Sequence, residues 1–352
     1  MSLIPRPPSP TAAAPFLHWS SLHGSAPALA LAEAVRGSDR PWAYVASGTR
    51  ELERMAAELR FYGGESLPLL TFPDWEVLPY DVFSPHPDIV SERLMTLSRL
   101  QQLRQGILLL TADSLMSRLA PTPYVGSLSF ELQRGTALQV EPFRLRLTAN
   151  GYASVREVRG PGEFALRGSL FDVWPMGYDT PLRVDLNDEQ IDSIRRFDPE
   201  TQRSGAAIEQ LQLLPAREFP LDATAVREFR RRFRLRFTGD VTRMGIYRGV
   251  SEGLAPPGIE FYLPLFFEST ATLFDYLPAG TVIAAGPELQ AALNDSWQSI
   301  LTRHDERAHD IERPLLNPTE AFVAPELIEQ GLQAHQRVEL DRFRTAGATG
   351  AS

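Results

Sequence analysis

The sequence predicts an α/β protein in which a parallel-sheet domain is split by an inserted small α+β domain. Three observations carry that prediction. Helix and strand patterns alternate from about residue 28 to 119, the sequence form of βαβ units. Two short runs in that region, 67–71 and 107–111, are nearly all apolar, as strands buried on both faces are. From about 128 to 213 the pattern changes to antiparallel alternation, and α/β patterning returns beyond it.

Taken in order, residues 28–35 (ALALAEAV) read as a helix and 42–46 as a strand running into Ser47-Gly48. Thr49 is expected to cap a helix to about Phe61, with Leu52, Met55, Ala56 and Leu59 along one face. Strands at 67–71 and 107–111 alternate with helices at 89–105 and 114–119. Pro121-Thr122-Pro123 forms a joint. Strands at 164–167 and 170–174 then flank Gly168-Ser169, 182–186 alternates strictly, and 191–197 follows a turn at 187–190. Pro215 and Pro220 mark a second joint. A helix at 223–237, a loop region to about 270 and further α/β segments follow, ending in a long helix at 325–344. The expected domains are 1–126, 127–213 and 214–344, with 345–352 (TAGATGAS) as linker or tail.

Composition excludes several chemistries. The chain of 352 residues has no cysteine, so disulfides, thiolate zinc sites and a Cys nucleophile are all excluded. It has no lysine either, which removes Schiff-base chemistry and a phosphate-loop lysine. The net charge of −9 opposes general nucleic-acid binding and suits a partner protein with a basic surface. There is no run of about 18 apolar residues to span a membrane. The prolines of MSLIPRPPSPTAAAP stand where a signal peptide needs its apolar stretch, so a cytoplasmic location is expected. No metal or cofactor is predicted. His304 and His309 are five apart and do not stack on one helical face; a solvated charged helix is expected there. His86, between Pro85 and Pro87, reads as a turn residue.

Alternation assigns faces in the middle module, because side chains i and i+2 share a side of a strand. Leu182, Val184 and Leu186 point to the core, leaving Arg183, Asp185 and Asn187 outward. Phe164 and Leu166 point inward, leaving Ala165 and Arg167 toward solvent. Two arginines on one wet face form a docking patch, or else ordinary surface charges paired to Asp172 or Asp185. In 227–237 (REFRRRFRLRF) the phenylalanines recur every four residues. That pattern gives one apolar stripe toward a core, with a basic back that is solvated or contacts DNA or an acidic surface.

The stretch 72–100 (FPDWEVLPYDVFSPHPDIVSERLMTLSRL) begins as a loop pinned to a scaffold by Trp75 and Tyr80. It resembles the N-terminal part of the bacterial transcription-repair coupling factors, the Mfd family. The resemblance continues through 162–177 (GEFALRGSLFDVWPMG), 183–198 and 257–267 (PGIEFYLPLFF), covering nearly the whole chain. It implies a UvrB-like first domain with a degenerate phosphate-loop fold and a middle domain that docks the repair protein UvrA. In the family motif R-G-x-x-x-D-x-x-P the first Arg falls on Arg167, and the next strand's interface Arg falls on Arg183. A third interface position, usually Phe, is Asn187 here, which removes an apolar anchor.

The family comparison also implies that the chain is not an enzyme. At the place of UvrB's phosphate loop stands HGSAPA: Gly24 and Ser25 remain, but Pro27 replaces the lysine and Ala28 the magnesium-binding hydroxyl. Proline also lacks the N–H that such a loop aims at phosphate oxygens. No helicase box is present, and too few residues separate Tyr80 from Ser91 for UvrB's DNA-clamping hairpin. Full-length family members continue into an RNA-polymerase-binding domain and a DNA translocase motor, and their first module helps hold the resting protein closed. The chain is therefore expected to be a fragment or truncated product. The competing readings are a DNA-dependent NTPase, which Pro27 and Ala28 contradict, and a nucleic-acid-binding module using the helix at 227–236.

Overall fold

The computed structural model describes residues 7–342. The expected tail at 345–352 and the end of the helix expected to reach 344 lie outside the described residues. Four strands come first: β1 (Phe16–Trp19), β2 (Pro41–Ala46), β3 (Leu69–Phe72) and β4 (Gly106–Thr111). Eight follow: β5 (Phe130–Gln133), β6 (Ala153–Ser154), β7 (Glu163–Arg167), β8 (Leu170–Val173), β9 (Leu182–Asn187), β10 (Gln190–Phe197), β11 (Ser204–Ile208) and β12 (Gln210–Leu213). Two more, β13 (Val282–Ala285) and β14 (Gln336–Leu340), come near the end.

Six of these strands form an all-parallel sheet in the order β1-β14-β13-β2-β4-β3. The returning strands β13 and β14 slot between β1 and β2, so the sheet is completed only after the chain has built everything between 112 and 281. Both faces are covered. β2 and β4 are buried along their whole length, as their apolar sequences require, while edge strand β3 is half-buried. One face holds Trp42, Leu59 and Val282, the other Leu108, Phe229, Phe233 and Ile283.

A second sheet runs β11-β10-β9-β8-β7-β6, antiparallel except for the short parallel pair β6/β7. Its inner face packs Phe164, Phe171, Leu182 and Val184 against Phe143 and Leu147 of the helix Val140–Ala149 and against the β12-β5 pair. The α/β class is therefore present as a parallel sheet interrupted by a smaller, mainly antiparallel one.

Several elements differ from the sequence reading. Thr49 is the first residue of the helix Thr49–Gly63; Gly48 occupies the cap, and no side chain caps it. The helix expected at 89–105 is Pro87–Leu100, followed by a turn in which Gln105 Nε2 donates to the Ser38 carbonyl at 2.9 Å. The helix expected at 114–119 is the single turn Ala112–Leu115, after which Ser117 and Leu119 bridge Phe322 and Ala271. The long terminal helix stops at Gln333, and residues 336–340 form β14. The region to 270 contains the helix Gly245–Ser251 and two 3-10 segments.

The loop 73–86 is pinned as its aromatics suggest. Trp75 packs edge-on to Phe261 at 5.6 Å, and Tyr80 packs on Phe261 and Phe322 at 5.8 and 5.3 Å. Tyr80 Oη donates to the Leu316 carbonyl at 2.9 Å. His86 caps the following helix, its Nδ1 accepting from the Asp88 amide at 3.3 Å. His304 is not fully solvated as expected, because its ring lies 5.4 Å from that of Tyr80. Among the described residues no helix is long and apolar enough to cross a membrane.

The helix Pro87–Leu100 joins the two sheets. Arg93, fully buried, donates from Nε to Glu218 Oε1 at 2.6 Å and from Nη1 to the Pro73 carbonyl at 2.8 Å. Its guanidinium also lies 4.2 Å over the Phe72 ring. Two residues earlier, Ser91 Oγ accepts from the Gly177 amide at 2.6 Å, and Leu94 enters the core of the second sheet. One helix therefore fixes where the smaller sheet sits.

Candidate docking face

The register brings Arg167, Arg183 and Asn187 to the outer face of the second sheet. Ala165, Asp172, Arg183 and Arg195 lie directly opposite one another across β7 to β10, as do Arg167, Leu170, Asp185 and Ser193. Residues opposite one another share a face. The hairpin between β7 and β8 closes through Gly168-Ser169, with Gly168 at φ 63°, a sign of φ that a side chain would resist at this first turn position. Asn187 ends β9 beside the turn residue Asp188 (φ 52°) and is exposed.

The two arginines are in different states. Arg183 grips Asp172 with both edges, Nε to Oδ1 at 2.7 Å and Nη2 to Oδ2 at 2.8 Å. Nη1 donates to the Gln202 carbonyl at 3.1 Å, Nη2 also reaches Gln202 Oε1 at 3.3 Å, and the guanidinium lies 4.6 Å over the Phe197 ring. Of five N–H donors one stays free. The hydrogen bonds it donates to Asp172 raise the arginine's pKa, and the Asp172 side chain is only 5% exposed. The pairing weighed in the sequence as an alternative to docking is thus present at Arg183. Arg167 is different: its side chain is 45% exposed, it donates to the Arg156 carbonyl at 2.5 Å, and it has Glu157 at 4.0 Å.

The expectation that Ala165 faces solvent is not met, since it is 2% exposed. It turns to the outer face, but that face carries its own apolar cluster of Val158, Ala165 and Phe197, flanked by Val155 and Trp174. Trp174, two residues after Asp172, and Phe197, two after Arg195, lie on this side. Two large aromatics on a nominally wet face were the available signal that a loop would cover part of it.

At the stretch expected to be a degenerate phosphate loop, Gly24 (φ 60°) and Ser25 precede the helix Ala26–Arg36, Pro27 lies in its first turn, and Ala28 is fully buried. Ser25 Oγ donates to Glu58 Oε1 at 3.1 Å, and Glu58 Oε2 is buried with no partner. A carboxylate therefore stands at the helix start, where an anion would otherwise be favoured. No group of three or more His, Asp or Glu side chains suited to a metal occurs among the described residues.

Residues 130–219, which contain this sheet with Arg167, Arg183 and Asn187, match the family model described as the UvrB interaction domain. The whole chain has further relatives. The transcription-repair-coupling factor of Haemophilus influenzae is 39% identical over 315 residues, 89% of this chain and 27% of that protein. The Escherichia coli factor is 35% identical over 320 residues, 91% of this chain and 28% of that protein. The chain is homologous to the transcription-repair-coupling factors. A third, from Myxococcus xanthus, is 31% identical over 319 residues. The chain spans about a quarter of the length of these factors. Within it, the stretch that matches the UvrB interaction domain is the one built around the Arg183–Asp172 pair.

Proposed function

We propose that this chain is a non-catalytic module that recruits the excision-repair protein UvrA during transcription-coupled DNA repair, through the outer face carrying Arg167, Arg183 and Asn187. The observation that supports this most is the coincidence of the matched UvrB interaction domain with that face. The division of labour follows from geometry. Arg183, with four donors engaged, shapes and rigidifies the surface and offers one N–H. Arg167 presents an exposed guanidinium for a carboxylate of UvrA. Asn187 supplies a polar rather than an apolar contact beside it. The lost lysine, the lost hydroxyl and the Glu58 carboxylate at the helix start support a module that binds no nucleotide. RNA polymerase binding, DNA translocation and self-inhibition belong, on this reading, to longer proteins of the family, acting in the cytoplasm.

Calorimetric titration of UvrA into the chain tests the reading. Arg167→Ala should weaken binding by about 2 kcal/mol, roughly thirtyfold, with unfolding unchanged, because its side chain is exposed. Arg183→Ala should weaken binding and also destabilise the fold by about 3 kcal/mol, because it strands the buried Asp172 carboxylate. Equal UvrA affinity in wild type and Arg167→Ala would move the interface off this face.

A further inference from the structure

We infer that the helix Ala223–Arg236 and the helix Gly245–Ser251 together form a cationic platform for the phosphate backbone of a nucleic acid, read without regard to sequence. Residues 223–251 contain eight arginines and two acids, in a chain whose net charge is −9. Phe229 and Phe233 are fully buried in the core beside the parallel sheet, which fixes the orientation of the first helix. Arg227, Arg230, Arg231 and Arg234 then fall within an arc of roughly 100° and about 10 Å of helix length.

Their pairing is uneven. Arg231 and Arg232 share Glu228, and Arg236 pairs with Glu320. Arg227, Arg230, Arg234, Arg243 and Arg248 form no ion pair among the described residues. Arg230 and Arg234 converge on one ring, 5.8 and 5.4 Å from the centroid of Tyr247, and Arg230 Nε donates to its hydroxyl at 3.2 Å. Tyr247 is itself buried, so the ring holds two like charges side by side on a fixed support. Like charges four residues apart on a helix repel, and an anion bound between them relieves that repulsion.

The chemistry favours a polyphosphate over an acidic protein segment. Protein partners are anchored by apolar side chains in pockets, and within 223–251 Leu235 is the one exposed large apolar residue. Clustered cations with little apolar surface suit a backbone of closely spaced phosphates. The overall negative charge does not cancel the platform, because screening confines each charge to about 10 Å at moderate salt.

Fluorescence anisotropy with a labelled duplex of arbitrary sequence, about 25 base pairs long, tests this on the whole chain. Engaging four or five phosphates predicts a log–log salt slope of about −4, a loss of roughly two hundredfold between about 50 and 200 mM salt. Arg227→Gln/Arg234→Gln, two exposed positions, should make the slope shallower by about 2. Arg104→Gln, an exposed arginine outside the platform, should leave the slope unchanged. No salt-dependent binding by wild type at about 50 mM, or an unchanged slope in the double variant, would overturn the inference. So would polyglutamate displacing the duplex at equal charge, which would identify an acidic protein segment as the occupant.

Discussion

Glu260 is half-hidden at the start of the 3-10 segment Ile259–Leu265, where it accepts a hydrogen bond from Ser84 Oγ at 2.8 Å. Burial pushes its carboxyl up to about 7, and the nearby Glu218 acts in the same direction, against the Ser84 bond and the charge of Arg313. The folded chain therefore holds this proton more tightly than the unfolded chain, where a glutamate titrates near 4.5. The stabilisation is complete below that lower value and is lost as pH rises through about 7. A shift of this size corresponds to about 3 kcal/mol. Urea unfolding at a series of pH values should show stability falling between about pH 5 and 8, and Glu260→Gln should flatten that fall. An identical profile in the variant would exclude Glu260 as the titrating group. No local pattern shows this: Glu260 sits in a motif legible as a family mark, and its partner Ser84 lies far from it in the chain.

Elements were legible where a local pattern coincided with the tertiary demand. β2, β4 and the helix Ala223–Arg236 were readable because apolar runs and a four-residue Phe period decide their own burial. β14 was not. Residues 325–340 carry one continuous helical reading, yet the helix ends at Gln333 and 336–340 pair with β1 on one side and β13 on the other. Two ladders of backbone hydrogen bonds and the burial of Val338 and Leu340 outweigh a helix propensity of a few tenths of a kcal/mol per residue. Those partners lie hundreds of residues away or follow another crossover, so no local window shows them. β1 was likewise missed, since its four residues acquire strand character only beside β14. The three positions of the proposed docking face came from motif and alternation, but the depth of Arg183 did not, because it depends on Phe197 of the next strand and on Gln202 in the turn beyond it. An inner strand implies a consequence for the parallel sheet. A chain cut after residue 334 would leave β1 and β13 with unpaired edges, and should lose its cooperative thermal transition and aggregate. A cut chain that unfolds cooperatively near the wild-type temperature would show that β14 is dispensable.

At the scale of the whole molecule, the question is whether the two sheets behave as one body. The smaller sheet enters and leaves the parallel-sheet unit near residues 130 and 213, which by itself would permit a hinge. Arg93 opposes that. Its helix belongs to the parallel sheet, its ion-pair partner Glu218 lies on the strand-exit side of the insertion, and Pro73, Phe72 and Trp75 close around it from the loop that leaves β3. The Ser91–Gly177 hydrogen bond and the packing of Leu94 fasten the same helix to the second sheet. Gly177 (φ 84°) also lets Met95 approach so closely that an added Cβ would lie 2.0 Å from its terminal carbon. Recruitment of a partner by the smaller sheet would thus be transmitted rigidly to the larger. Calorimetry of the intact chain should show one transition whose van't Hoff and calorimetric enthalpies agree. Arg93→Ala leaves Glu218 charged and buried, a loss of about 3 to 5 kcal/mol, concentrated at the joint rather than in either core. It should separate the melting of the two sheets into two transitions, with Arg167 still exposed and the proposed UvrA binding retained below the first. A single transition in Arg93→Ala, merely shifted down, would place the coupling in the hydrophobic contacts of Leu94 and Met95 instead.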